Sequence, residues 1–262
     1  HNVTVRVTDS GGLTYDETFT ITVTNVNETP TDLSLSANTV AENAANGTVV
    51  GTVTGTDSDA SDTKAYTFTD SAGGRFAINS STGQITVASS SLLNYESASS
   101  HNVTVRVTDS GGLTYDETFT ITVTNVNEAP TGADTTVTIS EDTSHTLTAA
   151  NFGFSDVDAG DTLSAVRIDG LPAAGMLKLS GVDVTPSQII TTADINAGHL
   201  VFSPAADGNG LSYAALTFSV RDSGNLYDAV PNTLTFRVTA VNDAPIRTAG
   251  TVANLTISED AG

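Results

Sequence analysis

The sequence predicts an all-β chain of tandem antiparallel β-sandwiches, each of about seven strands with Greek-key connections, arranged end to end. Three observations carry this. Residues 1–28 recur without a change at 101–128, so whole units have been duplicated and the repeat has to be recognised before the fold is assigned. Within a unit the apolar residues alternate with polar ones: Val103, Val105 and Val107 interleave with Asn102, Thr104 and Arg106, and Phe119, Ile121 and Val123 with Thr residues. That period of two marks strands with one buried face. Turn residues such as Asp109-Ser110-Gly111-Gly112 separate the runs.

The unit boundaries follow from the repeat. Residues 29–128 form one complete copy, and 1–28 is the closing hairpin of the copy before it. The chain opens in mid-pattern and reads as an excerpt of a longer protein. Residues 129–244 are a diverged copy: Val123 to Pro130 is echoed by Val238 to Pro245, and Asp109 to Leu113 by Asp222 to Leu226. Ile139-Ser140-Glu141-Asp142 returns as Ile257-Ser258-Glu259-Asp260, so 245–262 reads as the start of a further repeat. Each boundary lies beside a proline, as a short stiff connector requires. In the complete copy, strands are expected near 33–37, 47–54, 65–69, 75–79, 84–88, 102–108 and 117–125. A short helical turn is expected within 187–198.

Composition narrows the function. The 262 residues carry 30 acidic and 9 basic side chains, a net charge of −21. Nucleic acid is excluded as a partner because phosphate contacts need Lys and Arg, and an anionic membrane surface is disfavoured. No apolar run reaches the roughly 18 residues of a membrane-spanning helix, so no direct membrane insertion is expected. With no Cys, disulfides do not brace the units. The acidity fits either a solvated, self-repelling surface or a set of ligands for a hard divalent cation.

An enzyme is not expected. His1 and His101 are repeat equivalents, His145 and His199 sit in strand-like or turn segments, and no nucleophile motif, phosphate loop or dinucleotide fingerprint is present. Zinc is disfavoured because Cys is absent and the His residues are scattered. Read as an EF-hand starting at Asp57, the loop would put Asp62 where Gly is needed and Phe68 where Glu is needed.

The copy at 29–128 resembles a bacterial cadherin-like repeat. Ala41-Glu42-Asn43 with Gly47-Thr48 is similar to the family's Pro-Glu-Asn segment, with Ala in place of Pro. Asp57-Ser58-Asp59 resembles its Asp-x-Asp motif, and Phe76 to Val87 its central strand pair. Leu93-Asn94-Tyr95-Glu96 resembles Leu-Asp-Tyr-Glu, with Asn94 where Asp is usual, and Asp109 with Gly111-Gly112 resembles the Asp-x-Gly-Gly loop. Asn125 to Pro130 resembles the linker. Residues 129–244 resemble related repeats of giant bacterial adhesins, through Ile139 to Thr143, Asp156 to Asp161, Phe202 to Gly210 and Val241 to Pro245. The resemblance implies a cadherin/Ig-like Greek key, an extracellular or bacterial cell-surface location, a stalk role in cell–cell, surface or biofilm adhesion, and calcium at the junctions between repeats.

Calcium takes about six to eight oxygen ligands, and the acids sit where they can supply them. At the boundary near residue 128, the complete copy offers Glu42, Glu96, Asn125, Asn127 and Glu128, with Asn94 as an extra donor. The diverged copy offers Asp156, Asp158 and Asp222, with Asp161 as a candidate. The boundary near residue 28 offers Asn25, Asn27, Glu28, Asp57, Asp59 and Asp109. The boundary near residue 244 offers Glu141, Asn242 and Asp243. Full occupancy is expected only at the middle junction, flanked by two half-sites. Singly, each Asp or Asn is equally explained by a bond to its own turn backbone; it is the ordered set that points to calcium. Expected partners are the neighbouring repeats, with a glycan or cell-surface protein as the alternative reading.

Overall fold

The computed structural model describes residues 1–59 and 62–244; the expected start of a further repeat at 245–262 lies outside the described residues. The chain divides into two units, His1–Val126 and Asn127–Gly262.

The first unit opens with β1 (Asn2–Thr8) and β2 (Thr14–Thr20), antiparallel from Asn2↔Thr20 to Thr8↔Thr14 and forming a two-stranded sheet of their own. Eight strands follow: β3 (Asp32–Leu35), β4 (Thr39–Ala41), β5 (Val49–Thr56), β6 (Ala65–Asp70), β7 (Phe76–Ile78), β8 (Gln84–Val87), β9 (Ser100–Thr108) and β10 (Thr114–Thr124). They make two four-stranded sheets, ordered β4-β10-β9-β6 and β3-β5-β8-β7. The alternation read from the sequence is the alternation of burial: Val103, Val105, Val107, Ile121 and Val123 are fully buried, while the residues between them face outward.

The expected strand at 33–37 is broken in two. β3 pairs antiparallel with β5, then the chain crosses at Ser36–Asn38 and β4 pairs parallel with β10, Thr39↔Thr122 to Ala41↔Thr124. Asn38 secures the crossing. Its side chain donates to the Thr120 carbonyl at 3.0 Å, and its own carbonyl accepts from the Thr122 amide at 2.8 Å. Gly51 makes room for it, because a Cβ there would run into the Ala37 backbone. The sandwich therefore has eight strands where seven were expected, and one pairing is parallel.

The second unit contains β11 (Thr135–Ser140), β12 (His145–Thr146), β13 (Ala165–Gly170), β14 (Met176–Leu179), β15 (Val182–Asp183), β16 (Gln188–Thr191), α1 (Thr192–Asn196), β17 (Leu200–Ser203), β18 (Gly210–Arg221) and β19 (Asn232–Thr239). A five-stranded sheet, β11-β19-β18-β13-β16, accompanies a four-stranded one, β12-β17-β14-β15. Here too one pairing is parallel, β11 against β19. The core is aromatic: Phe202 stacks on Phe236 at 3.7 Å between centroids, and Phe152 meets Phe218 edge-on at 5.0 Å. The expected helical turn is α1, capped by Thr191, whose hydroxyl accepts from the Asp194 amide.

In both units the long last strands run from a buried Asp turn to a buried Glu. β10 alone, Thr114–Thr124, covers about 36 Å at about 3.3 Å per residue. Each sandwich therefore has two separate polar ends.

Candidate cation-binding loops

The turn between β9 and β10 places Asp109, only 6% exposed, with its Oδ1 accepting from the Leu113 amide at 2.8 Å. Its Oδ2 accepts from the Asn27 side chain at 2.9 Å. Burial pushes this carboxyl up, but the Asn27 side chain and the amides of Leu113, Gly112 and Gly111 together outweigh burial and hold it below the usual range. The loop after β5 adds Asp57, Asp59 and Asp62. Asp59 accepts from the Asn25 side chain at 2.5 Å and from the Glu28 amide at 2.9 Å, and these bonds depress its pKa. Glu28 itself is pushed up, first by desolvation and then by Asp59. Asp57 Oδ1 takes the Asp59 amide, and Asp62 Oδ1 takes the Ser110 hydroxyl at 2.7 Å. The other oxygens of these two acids, Asp57 Oδ2 and Asp62 Oδ2, are buried and have no hydrogen-bond partner. Asp57, Asp62 and Asp109 each bring an oxygen within 4.8 Å of the others.

The second unit repeats this arrangement with a different sequence. Asp222, fully buried, accepts from the Leu226 amide at 2.8 Å and from the Asn127 side chain at 3.0 Å. Asp158 accepts from the Glu128 amide at 2.8 Å, and Asp156 Oδ1 from the Asp158 amide at 3.0 Å. Asp161 Oδ1 takes the Ser223 hydroxyl. Again two buried oxygens, Asp156 Oδ2 and Asp161 Oδ2, have no hydrogen-bond partner. Asp156, Asp158 and Asp161 bring oxygens within 4.8 Å of one another.

Carboxylate oxygens buried without a donor are costly unless something positive faces them. Two per loop, in both units, make oxygen cradles suited to a hard cation. The linker Asn fits a matching notch. A Cβ on Gly111 would meet Asn27 at 2.5 Å, and one on Gly224 would collide with Asn127.

At the opposite end of the first unit, Glu42 is 1% exposed. It accepts from the Val126 and Tyr95 amides, both at 2.8 Å. Exposed Glu96 brings an oxygen within 4.8 Å of it. Asn94 Oδ1, the extra donor, accepts from the Ser97 amide of its own turn. In the second unit Glu141 accepts from the Val241 amide at 2.6 Å and the Asn209 side chain at 2.8 Å, Asn209 first among the bonds that lower its pKa. Nearby, Asp142, Asp207 and Asp243 form an exposed group within 4.8 Å. Desolvation first, and then Asp207, Asp142 and Glu141, push Asp243 up. The Asn242 side chain donates to the Asp243 carbonyl at 3.2 Å. Asn125 directly follows β10 and precedes the linker residues Asn127 and Glu128.

The sequence reading missed Asp62, Asp142 and Asp207. A signal for Asp62 was present: Asp57-Ser-Asp-Ala-Ser-Asp62 and Asp156-Val-Asp-Ala-Gly-Asp161 share Asp-x-Asp-x-x-Asp spacing. For Asp142 and Asp207 there was none, since their proximity depends on the fold of the second unit.

Comparisons with known proteins bear on the fold. Residues 37–125 match the family model of the cadherin domain. The chain is similar to the solved structure of protocadherin gamma B2 extracellular cadherin domains 1-5, at 18% identity and a TM-score of 0.59, over 93% of this chain and 46% of that one. It is similar to mouse cadherin-23 EC22-24 at 22% identity and a TM-score of 0.58, over 92% of this chain and 74% of that one. It is also similar to human protocadherin-24 EC1-2, at 17% identity and a TM-score of 0.55, over 78% of this chain and 94% of that one. The chain thus spans less than half of the protocadherin gamma B2 fragment. The fold is that of tandem cadherin extracellular domains, and the first complete repeat carries the cadherin-domain match.

Proposed function

We propose that this chain is a calcium-stiffened segment of an extracellular adhesive stalk, in which the repeats bind Ca2+ and transmit no catalysis. The observation that carries the reading is the pair of donor-less buried oxygens in each loop, Asp57 and Asp62 in one unit and Asp156 and Asp161 in the other. They lie beside carboxylates that already hold the linker residues Asn25, Asn27 and Glu28, and Asn127 and Glu128. A divalent cation supplies the missing positive charge, and calcium is the one that accepts a flexible all-oxygen set of this kind. Asp57, Asp62 and Asp109 would hold it in the first unit, and Asp156, Asp158, Asp161 and Asp222 in the second. Asp59, Glu42, Glu96, Asn125, Glu141, Asn242 and Asp243 would complete or support such sites. The protein's own contribution is to tie the linker to the loop by amide donors, so that neutralising the loop also restrains the linker. The bacterial-surface setting and a role in biofilm or cell–cell adhesion rest on the motif resemblance. Neighbouring repeats are the partners in this reading.

Calorimetric titration with Ca2+ tests it. Wild type is expected to bind; Asp57→Asn/Asp62→Asn and Asp156→Asn/Asp161→Asn are each expected to lose the binding of one unit and keep that of the other. At a concentration about 100-fold above Kd the ion adds about 2.7 kcal/mol of stability, visible as a fall in Tm on chelation. Absence of binding, or a scattering-derived extension that ignores chelator, overturns the stalk reading. Calcium-dependent retention on a glycan array would replace it with a glycan-binding one.

A further inference from the structure

Asp228 is a buried acid that the cation-binding loops do not use. It is 7% exposed, its Oδ2 accepts from the Asn232 side chain at 2.6 Å, and its Oδ1 is buried with no hydrogen-bond partner. Its polar neighbours are committed elsewhere. The Ser219 hydroxyl donates to Asp169 at 2.7 Å. Arg167, which feels the charge of Asp228, donates to Asp169 at 2.5 Å and to the Ser219 hydroxyl at 3.1 Å. A carboxylate buried without a matching donor costs stability. Where a cavity reaches such a group, it marks a candidate binding site.

A cavity of about 260 Å³ does reach it, lined by Asp228 and Asn232 and by the apolar Ala129, Pro130, Ala229 and Val230. Both walls are fixed. On one side Thr131 and Ser155 exchange backbone bonds at 2.8 and 2.9 Å, and on the other the Asp228 amide donates to the Val220 carbonyl at 3.1 Å. The walls close together at Gly132, where a Cβ would collide with the Asn232 side chain and lie 3.3 Å from Asp228 Oδ2. A site fixed in this way loses little freedom when a ligand enters.

The lining selects the occupant. The carboxylate repels an anion. A calcium ion takes about six to eight oxygens, and one acid among alkyl groups falls short of that. A neutral apolar molecule would fill the space and leave the charge unanswered. We propose that this cavity binds a primary ammonium group on a short alkyl stem, with Asp228 as its counter-charge and Pro130, Ala229 and Val230 against the stem. A lysine side chain and a small aliphatic amine both have this chemistry. At about 30 Å³ per water-sized group, the cavity has room for n-butylammonium. An ammonium beside Asp228 would also offset the burial that raises its pKa.

The test is a titration of the full chain with n-butylammonium chloride at constant ionic strength, read by backbone amide NMR shifts. Saturable shifts centred on residues 129–132 and 228–232 are expected, in Ca2+ and in chelator alike, since the cavity shares no carboxylate with the cation-binding loops. n-Butanol, the same stem without the charge, is expected not to saturate. Asp228→Asn keeps an acceptor for Asn232 and is expected to weaken butylammonium binding by about tenfold or more. An acetylated and amidated Gly-Lys-Gly peptide separates the two sources: shifts of the same residues assign the site to a lysine side chain, and butylammonium shifts alone assign it to a free amine. The absence of saturable butylammonium shifts, equal binding of n-butanol, undiminished binding by Asp228→Asn, or binding that requires Ca2+ overturns the proposal.

Discussion

The two complete repeats agree at one end and differ at the other. At the linker-holding end, Asp57, Asp59, Asp62, Asp109 and Ser110 have counterparts in Asp156, Asp158, Asp161, Asp222 and Ser223, with matching turn, serine and linker-amide bonds. At the far end the buried Glu and its bond from the Val126 or Val241 amide are kept, and the rest differs. Glu42 takes its second donor from the backbone of Tyr95, and Glu141 takes it from the side chain of Asn209. The segment with Glu96 has given way to an exposed group of Asp142, Asp207 and Asp243. A network in which Asp109 and Asp222 each join a turn amide to the linker Asn, and that Asn fits a glycine notch, tolerates little drift. An end whose acids face water tolerates more, because exposed charges are screened and their exact placement contributes little.

The largest effect should come from filling the notch at the end the repeats share. Gly224→Ala puts a methyl group into Asn127, and Gly111→Ala one into Asn27. Each is expected to cost about 1–3 kcal/mol, or roughly 4–8 °C in Tm per kcal/mol for a unit of this size. Gly11 is the control. It stands in the same Asp-Ser-Gly-Gly-Leu sequence, but its added Cβ would meet only Asp9 Oδ1 at 3.3 Å. Gly11→Ala should be silent in thermal unfolding. Equal losses at positions 11 and 111 would show that the cost is one of turn conformation and that the linker contact is not responsible.

Much of this was legible in the sequence, for identifiable reasons. Strand periodicity is local, so β9 and β10 could be read from their Val and Thr alternation. The exact repeat made unit boundaries readable. β4 was not readable, because three residues after a polar break carry no periodicity and its partner lies some eighty residues away. The parallel pairings of β4 and β11 were hidden for the same reason. Asp62 had a spacing signal, but its neighbour Ser110 comes from another loop, so only the fold joins them. Asp109 and Asp222 were found because a turn motif and a linker motif each point to the same end.

The differing ends predict a smaller and pH-dependent effect. Gln in place of Glu42 or Glu141 keeps one acceptor oxygen and loses the other, so one buried amide donor goes unsatisfied. Each substitution is expected to lower Tm at pH 7 by about 5 °C in its own unit. Glu141 is held below its ordinary value, chiefly by Asn209 and then by the Val241 amide. A depressed folded value means that stability is present above the unfolded pKa and lost as pH falls through the folded one. The Glu141→Gln penalty should therefore shrink in acid, because wild type loses the same contribution there. A penalty constant from pH 7 to acid would show that the carboxylate charge plays no part.

The smallest expected effect has the opposite sign and belongs to the second unit alone. Asp228 is 7% exposed, its Oδ2 accepts from Asn232 at 2.6 Å, and its Oδ1 is buried with no hydrogen-bond partner. Burial raises its pKa, and the nearby Asp169 adds to the shift, against bonds from Ser219, Val220 and Asn232. With a raised folded value the unit is most stable when Asp228 is protonated, and that stability is lost as pH rises through it. Asp228→Asn removes the buried charge while keeping an acceptor for Asn232. Tm at neutral pH should rise by about 1–3 °C, with no gain below the ordinary carboxylate range near about 4. The donor-less oxygens of Asp57, Asp62, Asp156 and Asp161 set the contrast. If those loops hold calcium, neutralising them weakens the protein in the presence of the ion, while neutralising Asp228 strengthens it with or without. A calcium-dependent response at Asp228 would place it among the cation ligands, and the comparison of the two repeats would then have to include a site that only one of them has.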